Sequence, residues 1–253
     1  MEMNLKAKLR CGDLCLGSWI TLGHSAIAEI FARAGFDWVV VDMEHSTIST
    51  EQAGELIRTI DLAGSVPLVR LTSNDINQIK RMMDAGAHGI VVPNVNKAGD
   101  AIDAVTATRY TPHGRRGVGL ARAQQYGPGF KDYLYWQQDG PTVIVQIEHR
   151  SALDHLEAIL TTPGVDGFMI GPYDLSCSMG IPGEFESPEF VAAMRRILQV
   201  GLQVGCPAGI HIVEPDIKRL RQAIVEGYRF IAYSVDIRML DVSARSGICH
   251  TKD

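Results

Sequence analysis

The chain has 253 residues, 46% of them hydrophobic and 21% charged, with a formal net charge of −5. That length allows one large domain or two small ones with an ample core, and so mild a charge gives no reason to expect nucleic acid or an anionic membrane as partner. No apolar run reaches the roughly 18 residues of a transmembrane helix. Met1-Glu-Met-Asn-Leu-Lys-Ala-Lys8 lacks the apolar centre of a signal peptide, and the five scattered cysteines (Cys11, Cys15, Cys177, Cys206, Cys249) read as reduced thiols of a cytosolic protein.

In chain order, a strand over 16–20 leads to a helix over 25–34, and a strand over 38–42 to a helix capped by Ser49 or Thr50. The third strand covers 66–71, where Pro67 fits only near the start. Asn74 or Asp75 caps the next helix, with Ile76, Ile79, Met82 and Met83 at helical spacing. A strand over 89–93 precedes a helix over 97–108. A strand over 142–148 precedes a helix over 152–160. A strand over 167–170 is followed by a helix over 190–204, and a strand over 208–212 by a helix that Pro215 opens. The last strand covers 230–234, with a terminal helix near 237–244. A glycine precedes four of the strands, in Ala34-Gly-Phe-Asp-Trp, Ala85-Gly-Ala-His-Gly, Pro163-Gly-Val-Asp-Gly and Glu226-Gly-Tyr-Arg-Phe. These are short αβ junctions, where glycine takes a left-handed conformation past a helix end.

Eight strands alternating with helices over about 250 residues predict a single (β/α)8 TIM barrel covering residues 1–253. A doubly wound open sheet is the alternative, but no Gly-x-Gly-x-x-Gly opens the first unit. One insertion, 110–141, precedes the fifth strand. Its aromatics (Tyr126, Phe130, Tyr133, Tyr135, Trp136) favour a packed flap or an oligomer contact over a disordered segment.

Chemistry on such a barrel sits at the C-terminal strand ends. Those ends offer Trp19 and Thr21, then Asp42, Glu44 and His45, then Arg70, Pro93 and Asn94. Gln146 and Glu148 follow, then Gly171, Tyr173, Asp174 and Ser176, and finally Asp236. Glu148 and Asp174 close neighbouring apolar strands, and together could hold one hard divalent cation through oxygen. Singly, each reads as a helix cap or salt-bridge partner. Arg70 suits an anionic oxygen or enolate, and equally an ion pair with Glu148 or Asp174. His45 with Asp42 suits general-base work, or merely caps the next helix. Gly171-Pro172 suits a tight turn. His24, His88, His113, His149, His155, His211 and His250 show no metal-ligand spacing and read as surface or capping groups. None of the seven lysines lies on a predicted strand, which disfavours a Schiff-base mechanism and favours metal-assisted proton removal beside a carbonyl.

Several motifs resemble the HpcH/HpaI aldolases, metal-dependent class II pyruvate aldolases, along nearly the whole chain. They are Val41-Asp-Met-Glu-His-Ser46, Pro67-Leu-Val-Arg70, Val92-Pro-Asn-Val95, Gly114-Arg-Arg-Gly-Val-Gly119 with Ala121-Arg-Ala123, Gln146-Ile-Glu148 and Gly171-Pro-Tyr-Asp-Leu-Ser176. The resemblance implies a barrel of the phosphoenolpyruvate/pyruvate-binding type, assembled as a homo-oligomer, hexamer or trimer, with a helix exchanged between subunits. It implies Mg²⁺ or Mn²⁺, sometimes Co²⁺, on Glu148 and Asp174, and no organic cofactor. Pyruvate would meet Arg70, Gln146 and the backbone near Tyr173 and Asp174, with Trp19, Gly171 and Ser176 around it. His45, oriented by Asp42, would move the proton. Asp84 also matches a family acid, and its place at a helix end predicts that it serves a neighbouring subunit's site. The activity implied is reversible cleavage of a 4-hydroxy-2-oxo acid to pyruvate and an aldehyde. The alternatives are condensation of oxaloacetate with an acyl-CoA on the same scaffold, or a non-catalytic metal-binding barrel. Tyr173 stands where many sugar-acid members carry a small residue, and Gln124-Gln-Tyr126 matches no particular aldehyde.

Overall fold

In the computed structural model, residues 5–249 are described; His250 and Lys252 lie outside them. Eight parallel strands close a barrel in sequence order: β1 (Cys15–Ile20), β2 (Trp38–Asp42), β3 (Val66–Arg70), β4 (Gly89–Val92), β5 (Thr142–Ile147), β6 (Gly167–Ile170), β7 (Ala208–Ile212) and β8 (Phe230–Val235). The open-sheet alternative is excluded. Strand alternation sorts two cores. Val40, Leu68, Val91, Ile144, Met169 and Ala232 fill the barrel interior. Val39, Val41, Val69, Val143, Val145 and Phe168 face the surrounding helices. At the floor Trp38 stacks on Phe230, centroids 4.1 Å apart. Gly17 permits this, since a Cβ there would lie 2.0 Å from the Trp38 ring.

The surrounding helices follow their predicted starts closely. α2 is Ser25–Arg33, and α3 (Thr50–Leu62) opens on a capping box between Ser49 and Gln52. α4 (Ile76–Asp84) is capped by Asp75, and α5 is Ala98–Thr108. The predicted helix over 152–160 breaks in two, a 3₁₀ turn (Arg150–Asp154) and α7 (Leu156–Leu160). α9 is Pro188–Val204. The cap of α10 (Ile217–Glu226) is Asp216, not Pro215: its carboxylate accepts the Lys218 and Arg219 N–H groups. Four junction glycines have the expected left-handed backbone, Gly35, Gly86, Gly164 and Gly227.

Sequence periodicity missed three short helices and the reach of α11 (Asp236–Cys249). α1 (Leu5–Cys11) plugs the barrel floor with Leu5 and Leu9. α6 (Phe130–Trp136) lies in the insertion, and α8 (Pro172–Ser178) follows β6. The insertion packs, as its aromatics predict, but not over the rim. It joins the C-terminus of α5 to the N-terminus of β5, so it lies at the floor. There Arg122 bonds Asp61, Trp136 meets His88, and Asp139 bonds Arg10. No helix among the described residues is long and apolar enough to cross a membrane.

Candidate active site

At the C-terminal end of the barrel the inward row turns from apolar to polar. Two residues beyond Val40 comes Asp42, beyond Leu68 comes Arg70, beyond Ile144 come Gln146 and Glu148, and beyond Met169 comes Gly171. Of these, Arg70, Gln146 and Gly171 line a cavity of about 310 Å³ whose wall also includes Trp19, His45, Tyr173 and Asp174.

Arg70 is held from three sides. Its Nε and Nη2 donate to the two Asp42 oxygens at 2.9 and 2.6 Å, a bidentate fork. Its Nη1 is 3.4 Å from Glu44, and its guanidinium lies 4.4 Å from the Trp19 ring centroid. Its ion-pair partners are therefore Asp42 and Glu44, rather than Glu148 or Asp174. Asp42 also accepts the backbone N–H groups of Glu44 and His45. Its carboxylate thus orients Arg70 and the turn, and does not touch the His45 imidazole. That ring is 64% exposed at the cavity edge, with Nε2 4.0 Å from Glu44.

Glu148 is buried and anchored. Its Oε1 accepts the Asn94 N–H at 2.6 Å and its Oε2 the Gln146 amide at 2.5 Å. Asn94 takes a left-handed backbone, φ 54°, to aim that N–H. Burial pushes the Glu148 carboxyl above its ordinary range; Asp174 adds to this, while the Asn94 bond opposes it. Burial also pushes Glu44 up to about 7, against the pull of Arg70 and with a further push from Glu148, Asp42 and Asp174. Neither Glu148 nor Asp174 makes a salt bridge among the described residues.

The donor set fits a hard divalent cation. Two carboxylates repel one another with no paired cation, and buried polar atoms beside them, Glu44 Oε2 and Gln146 Oε1, lack hydrogen-bond partners. Gly171 keeps the space open: a Cβ there would come 2.8 Å from Glu148 Cβ and Oε2. Among the described residues no three His, Cys, Asp or Glu side chains form a complete cage. The chain would offer two carboxylates, and water and substrate the remaining ligands, an arrangement Mg²⁺ favours.

Other predicted residues have different duties. Ser176 is fully buried beneath the rim, donating to the Tyr173 carbonyl and accepting the Gly183 N–H. It anchors α8 and does not line the cavity. Asp236 clasps β8 to β1 by accepting the Thr21 hydroxyl and the Thr21 and Leu22 N–H groups. Asp84 ends α4 at the far side of its own barrel, bonded to Arg116 at 2.6 Å. His24 and His149 cap as expected. His211 does not lie at the surface: it faces the cavity from β7, 5.4 Å from Trp19. The alternation along Ala208-Gly-Ile-His-Ile212 contains that signal, because Ala208, Ile210 and Ile212 face outward.

A family model described as HpcH/HpaI aldolase/citrate lyase matches residues 16–241. A 4-hydroxy-2-oxo-heptane-1,7-dioate aldolase of Salmonella paratyphi C (strain RKS4594) is 39% identical over 243 residues, 95% of this chain and 91% of that protein. The crystal structure of a HpcH/HpaI aldolase/citrate lyase family protein from Burkholderia cenocepacia J2315 superposes with a TM-score of 0.92 at 35% identity, over 99% of this chain and 100% of that one. That of a citrate synthase superposes with a TM-score of 0.86 at 25% identity, over 99% and 98%. With its closed barrel and its motifs at the strand ends, the chain belongs to the HpcH/HpaI aldolase/citrate lyase family and is a carbon–carbon lyase.

Proposed function

We propose that this lyase, acting as one catalytic domain over residues 1–253, cleaves a 4-hydroxy-2-oxo acid reversibly to pyruvate and an aldehyde. One observation carries the reading: an arginine fixed by Asp42 shares a small cavity with Asp174, and Glu148 lies directly behind two residues of its wall, Gly171 and Gln146, with neither acid paired to a cation. In cleavage the 4-hydroxyl loses its proton and the C3–C4 bond breaks to release the aldehyde. The bond's electron pair moves toward the C2 oxygen, leaving the pyruvate enolate. A proton returned to C3 completes pyruvate, and nothing is oxidised. Glu148 and Asp174 would hold a divalent cation (Mg²⁺, Mn²⁺ or Co²⁺), which would supply Lewis-acid chemistry to the keto acid.

The chain's own residues supply the rest. Arg70, pre-set by its fork, stabilises charge on the enolate oxygen. Gln146 contacts pyruvate. The first-turn N–H groups of Tyr173 and Asp174 have no carbonyl partners within α8 and are suited to the substrate carboxylate. His45 moves the proton from the open edge of the cavity, and Trp19 forms its base. Pyruvate release from such an acid should need added divalent cation and vanish with EDTA or in Glu148→Ala; full activity in either case would sink the assignment. The likeness to a citrate synthase favours, as a second reading, condensation of oxaloacetate with an acyl-CoA. Release of free CoA thiol separates the two.

Asp84 is the one acid of the set that its own rim cannot use, and we assign it to a neighbouring subunit's site in a homohexamer or trimer. Val118, Leu120 and Tyr126, on the segment beside it, are exposed apolar groups suited to such contact. Ile237, Leu240 and Ile248 on α11 suit an exchanged helix. A fully active monomer would refute this. Four free cysteines among the described residues suit the reducing cytosol.

A further inference from the structure

β7 brings one side chain to the cavity that the reaction scheme above leaves unused. His211 sits between outward-facing Ile210 and Ile212, so its ring enters the barrel mouth. The ring is tilted against Trp19, with 34° between planes. Its Nε2 lies 3.1 Å from the Ser234 carbonyl oxygen, which also accepts the Ser18 hydroxyl at 3.2 Å. A carbonyl only accepts, so Nε2 carries the proton. Burial holds the ring's pKa down at about 4, so it is neutral near pH 7. Nδ1 is therefore a bare acceptor, and it has no hydrogen-bond partner among the described residues.

Its position on the closed barrel gives that acceptor a task. β3 and β7 are diametrically opposed in the eight-strand order, so Arg70 and His211 stand on opposite walls with Trp19 beside both. The keto-acid end of the substrate belongs to the Arg70, Glu148 and Asp174 side. Since Arg70 and His211 line the same small cavity from opposed strands, a substrate with its keto-acid end at Arg70 would bring its other end to β7. Among the described residues the cavity wall holds no Lys and no Arg besides Arg70. A carboxylate tail directed at β7 would meet a lone pair and no counter-charge; a hydroxyl would meet an acceptor set at a fixed angle.

We propose that His211 Nδ1 accepts a hydrogen bond from a hydroxyl on the aldehyde half of the substrate, so that this chain selects short hydroxyaldehydes over aldehydes ending in a carboxylate. The proposal rests on the aldol reading and narrows its second substrate. It is tested in the synthetic direction with pyruvate, Mn²⁺ and three aldehydes: 2-hydroxyacetaldehyde, propanal and 4-oxobutanoate. Wild type should favour 2-hydroxyacetaldehyde over propanal in kcat/KM by about tenfold, the worth of one neutral hydrogen bond. It should favour it over 4-oxobutanoate by at least as much. His211→Leu should bring the first ratio to about one, and His211→Gln, which keeps an acceptor, should restore part of it. Each ratio is internal to one variant, so a general loss of folding divides out. No wild-type preference, a preference for 4-oxobutanoate, or an unchanged ratio in His211→Leu would overturn the proposal.

Two measurements separate its failure from that of the aldol reading. Exchange of the pyruvate methyl protons in D₂O, with wild type and Mg²⁺, tests the enolate chemistry alone. ¹⁵N NMR of the His211 ring in cation-free protein should find Nδ1 unprotonated and shifted on titration with ethane-1,2-diol. A protonated Nδ1, or no shift, overturns the His211 assignment whatever the activity.

Discussion

Both ends of the barrel bury charge, and they satisfy it differently. At the floor, Lys6 donates to the Pro141 carbonyl at 2.9 Å and lies 3.1 Å from Asp166 and 3.3 Å from Asp139. Asp139 also takes both Arg10 nitrogens at 2.7 Å, and Asp166 accepts the Val143 N–H. That group of charges closes on itself. At the rim the Arg70–Asp42 fork and the Asp236 clasp close, while Glu44 meets Arg70 only at ion-pair distance. Glu44, Gln146 and Trp19 each leave a buried polar atom without a hydrogen bond, and burial pushes Glu148 and Glu44 toward protonation. Unmet buried polar groups destabilise a fold; Arg109 Nε and Arg116 Nε are left so elsewhere, and what sets the rim apart is that two of its unmet atoms, Gln146 Oε1 and Trp19 Nε1, belong to residues lining one cavity.

The sharpest way to break this contrast is to neutralise each end in turn. Glu148→Gln should lower kcat by about a thousandfold or more while leaving the melting temperature of cation-free protein unchanged or higher, because a repelled carboxylate is removed. A clear fall in thermal stability would place Glu148 with the floor charges. Lys6→Met should do the reverse. It strands Asp166, whose carboxyl burial already pushes up against the pull of Lys6, and should cost about 3 kcal/mol in urea unfolding. The kcat of the folded fraction should hold.

Titration gives the next largest effect. His211 has a folded pKa below its ordinary value, so its contribution to stability is present above about 6.5 and lost as pH falls toward about 4. Between pH 7 and pH 5 that amounts to about 2 kcal/mol, read as the difference between wild type and His211→Gln. Glu44 has the opposite sign. Its raised pKa contributes stability at low pH that is lost as pH rises from about 4.5 through about 7. The Glu44→Gln difference in cation-free protein should therefore slope the other way, and two slopes of one sign would refute the assignment. Ser176→Ala should have the smallest effect. Losing its two bonds should cost about 1 kcal/mol by thermal melts and change kcat/KM by less than about twofold; a larger kinetic change would return Ser176 to the substrate's surroundings.

Much of the barrel is legible in the chain because local rules agree with the global fold. The runs at 38–42, 167–170 and 208–212 coincide with β2, β6 and β7, since each is apolar and bounded by turn residues. Ser49 and Asp75 stand where caps are needed. α1 was not legible: its seven residues have no lasting apolar face, and Leu5 and Leu9 matter only because a barrel floor is there to receive them. α8 was hidden behind Gly171-Pro172, which reads as a turn and serves as a helix start.

Residue types and period two determined which side chains reach the rim, because alternate strand positions must face the same way. Partner choice was decided by tertiary structure. Nothing in Val41-Asp-Met-Glu-His-Ser46 says that Asp42 turns to Arg70 and not to His45; the β2–β3 register, which sets Asp42 opposite Arg70, does. Nor does the sequence order say that 110–141 lies under the barrel, or that His211 and Arg70 share a cavity. Those follow from closing eight parallel strands into a ring, which brings residues 141 positions apart to one mouth and sends every helix-to-strand connection to the opposite end.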